Sequence, residues 1–220
     1  SLFCASSADR IASAFGLAGP KATFMTACSG GATAIGYARD LIAGGQASVV
    51  IAGGVEPMCR LTYAAFNALK SVAAATCRPF DKNRDGLSLG EAAAIVILEE
   101  LDSALARGAR IHGEILGYGI TCDSYHMTAP DEQASGAVRS MDAALRDSGL
   151  SPDDIDYINA HGTATEFGDI AETLATHAVF GSRIPVSSLK SYFGHTLGAC
   201  GALEAWLSIE MMNRDWFAPT

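Results

Sequence analysis

No block of lysine and arginine occurs anywhere in the 220 residues, where 15 basic side chains face 24 acidic ones for a formal net charge of -9. Binding to a polyanion needs clustered positive charge, so nucleic acid and anionic membrane surfaces are excluded as expected partners. No apolar run approaches the roughly 20 residues of a membrane-spanning helix, so no membrane insertion is expected. The first residues place Asp9 and Arg10 inside a helical pattern with no secretory layout, and no methionine opens the chain. The chain is therefore expected to begin inside a longer product. Cys4, Cys28, Cys59, Cys77, Cys122 and Cys200 form no C-x-x-C pair, and their scatter matches no zinc spacing. Scattered thiols in a chain with its own core fit a reducing compartment, here the cytoplasm, and each reads first as a small buried hydrophobe.

The composition is that of a globular protein with a filled core, 49% hydrophobic and 18% charged, in one large domain or two small ones. Linkers, tandem repeats and low-complexity tracts are missing. β-prone and helical patterns alternate instead. Helices are expected over residues 5–17, 29–44, near 60–70, up to Gly108, and over 135–149, 167–180 and 201–213. Strands are expected over 22–26, 48–54, 91–100, 110–121, 155–161 and 184–188. Such alternation implies a mainly parallel sheet with helices on both faces.

The stretch "FMTACSGGATAIG" (24–36) sets Cys28 between a β-prone run and a helix of small residues. A thiol at a helix entrance feels the positive end of the macrodipole, which stabilises thiolate, and the backbone N–H groups there can receive an oxyanion. His161, in "NAHGTATEFGD", and His195, in "LKSYFGHTLGACGALE", each follow an expected strand. Open α/β sheets bind ligands beyond the carboxyl ends of their strands, so the three side chains are expected to converge on one edge. His112 and His177, within a strand and a helix, read as structural; His126 lies in a loop and could line a pocket. "DKNRDGLSLGE" (81–91) imitates a calcium loop, but Glu91 falls at the eleventh position and Ala92 at the twelfth, where the bidentate acid is required. "LGYGIT" lacks the third glycine and the helix of a dinucleotide fingerprint.

Five ordered motifs then carry a resemblance: "TACSG" (26–30), "RPFDKNRDG" (78–86), "DSYHMTAP" (123–130), "NAHGTAT" (159–165) followed by Gly168-Asp169, and "SSLKSYFGHTLGACGALEA" (187–205). Together they resemble the β-ketoacyl-acyl carrier protein synthases, in particular the elongating enzymes of bacterial fatty-acid synthesis. The resemblance implies an α/β, thiolase-like layered αβαβα fold, partial in this chain. Residues 1–101 would be the end of the N-terminal half with the nucleophile, and 102–220 most of the C-terminal half with the two histidines. It also implies that the family's opening and glycine-rich closing segments lie outside these residues, so that turnover by them alone is not expected.

By the same resemblance the reaction is a decarboxylative Claisen condensation, an acyltransferase chemistry in lipid metabolism. Cys28 is acylated, and His161 and His195 stabilise the enolate formed from malonyl thioester. Lys190 acts electrostatically on the histidine region, Glu204 partners Lys190, and Thr163 and Thr165 bond the phosphopantetheine amides. No metal and no organic cofactor is implied, since phosphopantetheine arrives on the acyl carrier protein. The implied partners are acyl carrier protein, malonyl and acyl thioesters, and a second copy in a homodimer. Lys70, Arg78 and Arg84 are candidates for a basic patch facing the acidic carrier. Gly30, Ala164, Tyr192-Phe193 and Cys200 depart from the family pattern and bear on chain-length preference. Three alternatives stand beside this reading: a ketosynthase of a polyketide or aryl-polyene pathway, a thiolase that condenses without decarboxylation, and a non-catalytic chain-length-factor-like subunit. The presence of Cys28 weighs against the last, and "ACG" (199–201) matches a thiolase's second cysteine element only superficially.

Overall fold

Alanine and glycine, rather than bulky side chains, set the spacing of the layers. A computed structural model describes residues 5–126 and 128–220. Cys4 and the Met127 of the "DSYHMTAP" motif lie outside the described residues. Helix α1 (Ser6–Ala14) opens them, and Thr26 leads through a single 3-10 turn, Ala27–Ser29, into α2 (Gly30–Ala43). Strand β1 (Val49–Glu56), α3 (Arg60–Ala68), β2 (Ala92–Glu99) and α4 (Leu101–Ala106) follow. The second part holds α5 (Ser135–Ser148), β3 (Ile158–Asn159), α6 (Glu166–Phe180), β4 (Val186–Ser187), α7 (Lys190–Phe193) and α8 (Cys200–Met212).

Helices α2 and α8 cross in contact and lie together on the β1–β2 pair. Ile35 and Ala38 of α2, Ala52 of β1, Ala94 of β2 and Ala202 of α8 form the buried centre, with Val50, Val96, Leu98 and Ile115 packed around it. The crossing is close because side chains are absent from it. A β-carbon on Gly31 would stand 2.9 Å from the Ala202 amide nitrogen, and one on Gly201 would stand 2.7 Å from that of Ala32. These contacts are reciprocal. Each helix also follows a 3-10 turn (Ala27–Ser29 and Leu197–Ala199) whose first residue has φ 49°. The two turns are thus related by a local pseudo-twofold, and it brings Cys28 and the His195 region to the same place. A second cluster joins α5 to α6 through Ala134, Ala171 and Ala175.

The expected helices form with ends shifted by a few residues, but the expectation of a mainly parallel sheet is corrected. Among the described residues β1 and β2 pair antiparallel, from Val49 against Glu99 to Glu56 against Ala92, and parallel pairing is limited to the short β3–β4 pair and the single bridges Val72–Leu87 and Leu89–His195. The expected strands at 22–26 and 110–121 are in no ladder. β-prone side chains there meet helices instead. Phe24 packs edge-on against Tyr37 of α2, with ring centres 5.1 Å apart. Residues 110–121 are threaded between three helices. Arg39 of α2 donates to Leu116 O, Asn213 beyond α8 donates to His112 O, and Thr121 donates to Gly136 O of α5.

Candidate active site

The turn that carries Cys28 is held in a conformation its residues do not favour. Ala27 sits at φ 49°, a region that costs a residue with a β-carbon on the order of 1 kcal/mol. Hydrogen bonds from Ser29 N–H (3.1 Å) and Ser29 Oγ (2.7 Å), both to Thr26 O, fix it there. Thr26 Oγ1 in turn bonds Thr33 Oγ1 at 3.1 Å, and Thr33 Oγ1 accepts the Tyr118 hydroxyl at 2.8 Å. The result sets the half-buried Cys28 just ahead of α2.

Opposite stands His195, 2% exposed, with Nε2 2.9 Å from Cys28 Sγ. The backbone assigns its tautomer. Leu197 N–H donates to Nδ1 at 3.3 Å, and an amide nitrogen can only donate. Nδ1 is therefore the acceptor, and the neutral ring carries its proton on Nε2, aimed at the sulfur. The His161 ring lies 5.1 Å from that of His195, nearly perpendicular at 87°. The Cys28 sulfur and a nitrogen of each ring all fall within 4.8 Å of one another. The three side chains do converge, but only His161 comes just after a strand: Cys28 sits in a 3-10 turn and His195 follows α7.

His161 is positioned by a carboxylate that sequence reasoning missed. Glu172, on α6, accepts His161 N–H at 2.6 Å through one oxygen and Gly162 N–H at 2.7 Å through the other. Gly162, at φ 36°, is needed as glycine, because a β-carbon would come within 2.5 Å of Ser188 Cβ. Downstream, Thr163 Oγ1 and Thr165 Oγ1 bond each other at 2.9 Å. The "RPFDKNRDG" segment then proves to be a clamp on this loop. Asp169 accepts Phe80 N–H at 2.7 Å and Ala164 N–H at 3.1 Å, and both of those residues have positive φ. Arg84 donates to Thr165 O and Glu166 O and lies 3.4 Å from Asp169. Its side chain is 15% exposed and fully committed. Arg84 is thereby removed from the candidate carrier-facing patch. Arg78 donates to Asn83 O but stays exposed, as does Lys70.

Lys190 lies behind both histidines, its side chain shielded from water, and donates to Glu204 Oε1 at 2.5 Å. The Lys190–Glu204 pairing expected from the motif is present. This buried cation sets the electrostatics of the site. Burial first, and Lys190 second, depress His195 to a pKa of about 3. Burial, Lys190 and His195 hold His161 well below the ordinary imidazole value, although its ring keeps an exposed side where water moderates the effect. Both rings are neutral at pH 7. Glu172 and Glu204 are raised by burial, against the pull of Lys190. The expectation of a stabilised thiolate is not met in the resting site. Burial raises Cys28, Glu56 and Glu204 raise it further, and Lys190 and the Cys28 backbone N–H oppose them without winning. A helix entrance contributes only about 0.3–1 kcal/mol, less than the cost of desolvating a thiolate.

A cysteine and two histidines are also metal-ligand types. A zinc ligand at His195 Nε2 would need the opposite tautomer, with its proton on Nδ1, where the Leu197 N–H already donates. The residues do not fit a zinc centre.

His126 lines an open cleft of about 810 Å³ with Tyr125 and with Thr26 and Ala27 of the turn that carries Cys28, so it does border a pocket. His177 bonds Ser182 in the last turn of α6, and the His112 carbonyl anchors Asn213. Glu56 was another omission; it accepts Gly198 N–H at 3.2 Å and faces Cys28. Its only signal was its place at the end of an apolar strand.

The beta-ketoacyl synthase N-terminal domain profile matches residues 4–104, and the C-terminal domain profile of the same family matches 112–220. The chain belongs to the beta-ketoacyl synthase family. A relative named 3-oxoacyl-acyl-carrier-protein synthase 2 from Rhizobium meliloti (strain 1021) is 49% identical over 92% of this chain and 50% of its own length. The crystal structure of a beta-ketoacyl synthase from Burkholderia phymatum STM815 superposes with a TM-score of 0.95 at 48% identity, over 98% of this chain and 54% of the other. A type II polyketide ketosynthase, solved in complex with its acyl carrier protein, gives 0.94 at 35% identity, over 98% and 56%. The thiolase-like layered fold implied by the motifs is therefore the fold of this chain, in part. The chain spans about half the length of the curated relatives it matches.

Proposed function

We propose that the protein carrying this chain condenses an acyl thioester with malonyl-acyl carrier protein, releasing carbon dioxide and giving 3-oxoacyl-acyl carrier protein. The reading is carried by one observation: Cys28 Sγ lies 2.9 Å from a neutral His195 whose Nε2 proton points at it, with His161 alongside. The Cys28 sulfur attacks the acyl thioester carbonyl, the bond to the carrier's sulfur breaks, and the carrier thiol takes up the proton Cys28 gives away. The sulfur, once acylated, no longer needs the His195 N–H, which is free to donate to a malonyl thioester oxygen. The malonyl carboxylate leaves as carbon dioxide, and the electron pair of the broken bond becomes the enolate. His195 and His161 stabilise its oxygen as neutral donors, which their depressed pKa values favour. The enolate carbon attacks the acyl-Cys28 carbonyl and the carbon–sulfur bond breaks, returning the thiolate.

Lys190 polarises this region, and Glu204 holds it in place. Thr163 and Thr165 bind the phosphopantetheine amides, exchanging their mutual bond for the ligand. The protein works as a homodimer without metal or organic cofactor. Cys28, Cys59, Cys77, Cys122 and Cys200 are free thiols, which supports a reducing, cytoplasmic setting. No helix of the described residues is long and apolar enough to cross a membrane. Fatty-acid elongation is favoured over polyketide synthesis by the higher identity to 3-oxoacyl-acyl-carrier-protein synthase 2, 49% against 35% for the polyketide ketosynthase. The test supplies the protein with acyl- and malonyl-acyl carrier protein and weighs the product. A 3-oxoacyl thioester longer by two carbons is expected from the wild type, and none from H195N. Decarboxylation that survives unchanged in the H161N/H195N double variant would sink the reading.

A further inference from the structure

Cys200 departs from the family pattern and has no assigned part in the chemistry, yet its sulfur touches the nucleophile's own backbone. Cys200 Sγ donates to Cys28 O at 3.2 Å. The residue is 1% exposed and opens α8, the helix whose crossing with α2 leaves no room for even a β-carbon at Gly31 or Gly201. Its position relative to Cys28 is thus fixed by backbone packing. Burial pushes its thiol up to about 12, so it stays protonated and remains a donor at any physiological pH.

The peptide group joining Cys28 to Ser29 has two polar ends. Its N–H is taken by Thr26 O at 3.1 Å and its carbonyl by Cys200. This plane sets where the Cys28 side chain leaves the strained turn after Ala27. By the local pseudo-twofold the counterpart of Cys200 is Gly30, which has no side chain to offer, so the lock acts in one direction only, on the nucleophile.

We propose that Cys200 is a positioning residue, holding the Cys28 peptide by an S–H···O=C hydrogen bond so that the Cys28 sulfur faces His195. The inference rests on Cys28 being the nucleophile, but not on the identity of the acyl donor. Its test therefore uses a small alkylating agent rather than a carrier thioester. Wild type, C200A and C200S are treated with iodoacetamide, and alkylation at Cys28 is followed by peptide-resolved mass spectrometry, which separates it from the exposed Cys59 and Cys122. Thermal midpoints are recorded for all three. The S–H is a weak donor, so an alkylation rate lower by about two- to threefold is expected in C200A, with C200S, whose hydroxyl is the stronger donor, at or above the wild-type rate. A C200A rate equal to wild type overturns the proposal. So does a C200S rate as low as that of C200A, because packing rather than the donor would then be what matters. A wild type that alkylates at Cys28 but accepts no acyl group would count against the proposed reaction and leave the role of Cys200 standing.

Discussion

Lys190 carries its charge where water does not reach, and the direction of its field accounts for several properties of the site. It draws the Cys28 pKa down against burial while pushing both histidines toward the neutral form. K190M should therefore move the pH midpoint of Cys28 alkylation upward, read as alkylation rate against pH. The same change leaves Glu204 buried without its partner. Breaking a buried pair costs about 3–5 kcal/mol, and a Glu204 already raised by burial can take up a proton, which places the loss near the lower end. Denaturant unfolding of K190M against wild type measures it. At this scale the meeting of Cys28, His161 and His195 was legible, because a thiol and two imidazoles each stood in loops of small residues, although only His161 proved to come just after a strand. Glu172 was not, since an acid on an amphipathic helix reads as a solvated one. The Leu197 N–H that fixes the His195 tautomer is a backbone group that no residue type reveals.

The two turn-and-helix elements that meet at Gly31 and Gly201 use small residues to bring Cys28 and His195 together. Replacing either glycine with alanine puts a β-carbon within 3 Å of a backbone nitrogen on the other helix, and backbone cannot swing aside as a side chain can. G31A and G201A should each lose about 1–3 kcal/mol by thermal or denaturant unfolding. Both should also slow Cys28 acylation, because parting the helices separates the sulfur from His195. The helices themselves were readable from period and glycine stops. The ladders were less so: β-branched runs announced that 48–54 and 91–100 would be strands, but not that they would pair antiparallel. In 110–121 the β-prone pattern was real, while the contacts it serves are to α2, α5 and α8. Apolar alternation reports burial and leaves the partner unnamed.

Across the whole molecule the buried neutral histidines make stability depend on acid. His195 titrates near 3 when folded and near 6.5 when unfolded, so below pH 6.5 the unfolded chain binds a proton that the folded chain refuses. Stability is full above that value and falls with pH down to about 3. From pH 7 to 5 the single group costs about 2 kcal/mol, a loss that H195N should not show in unfolding curves taken at the two pH values. His161, with its exposed side, adds a smaller loss of the same sign. The five motifs made the overall architecture legible through resemblance, whereas periodicity alone reached only an α/β alternation. Everything above depends on Cys28 being the residue that takes the acyl group. Incubating the protein with acyl-acyl carrier protein and locating the added mass by peptide sequencing tests this most directly. The account predicts the acyl group on Cys28 in the wild type and no adduct in C28A; an adduct on another residue, or one that persists in C28A, would contradict it.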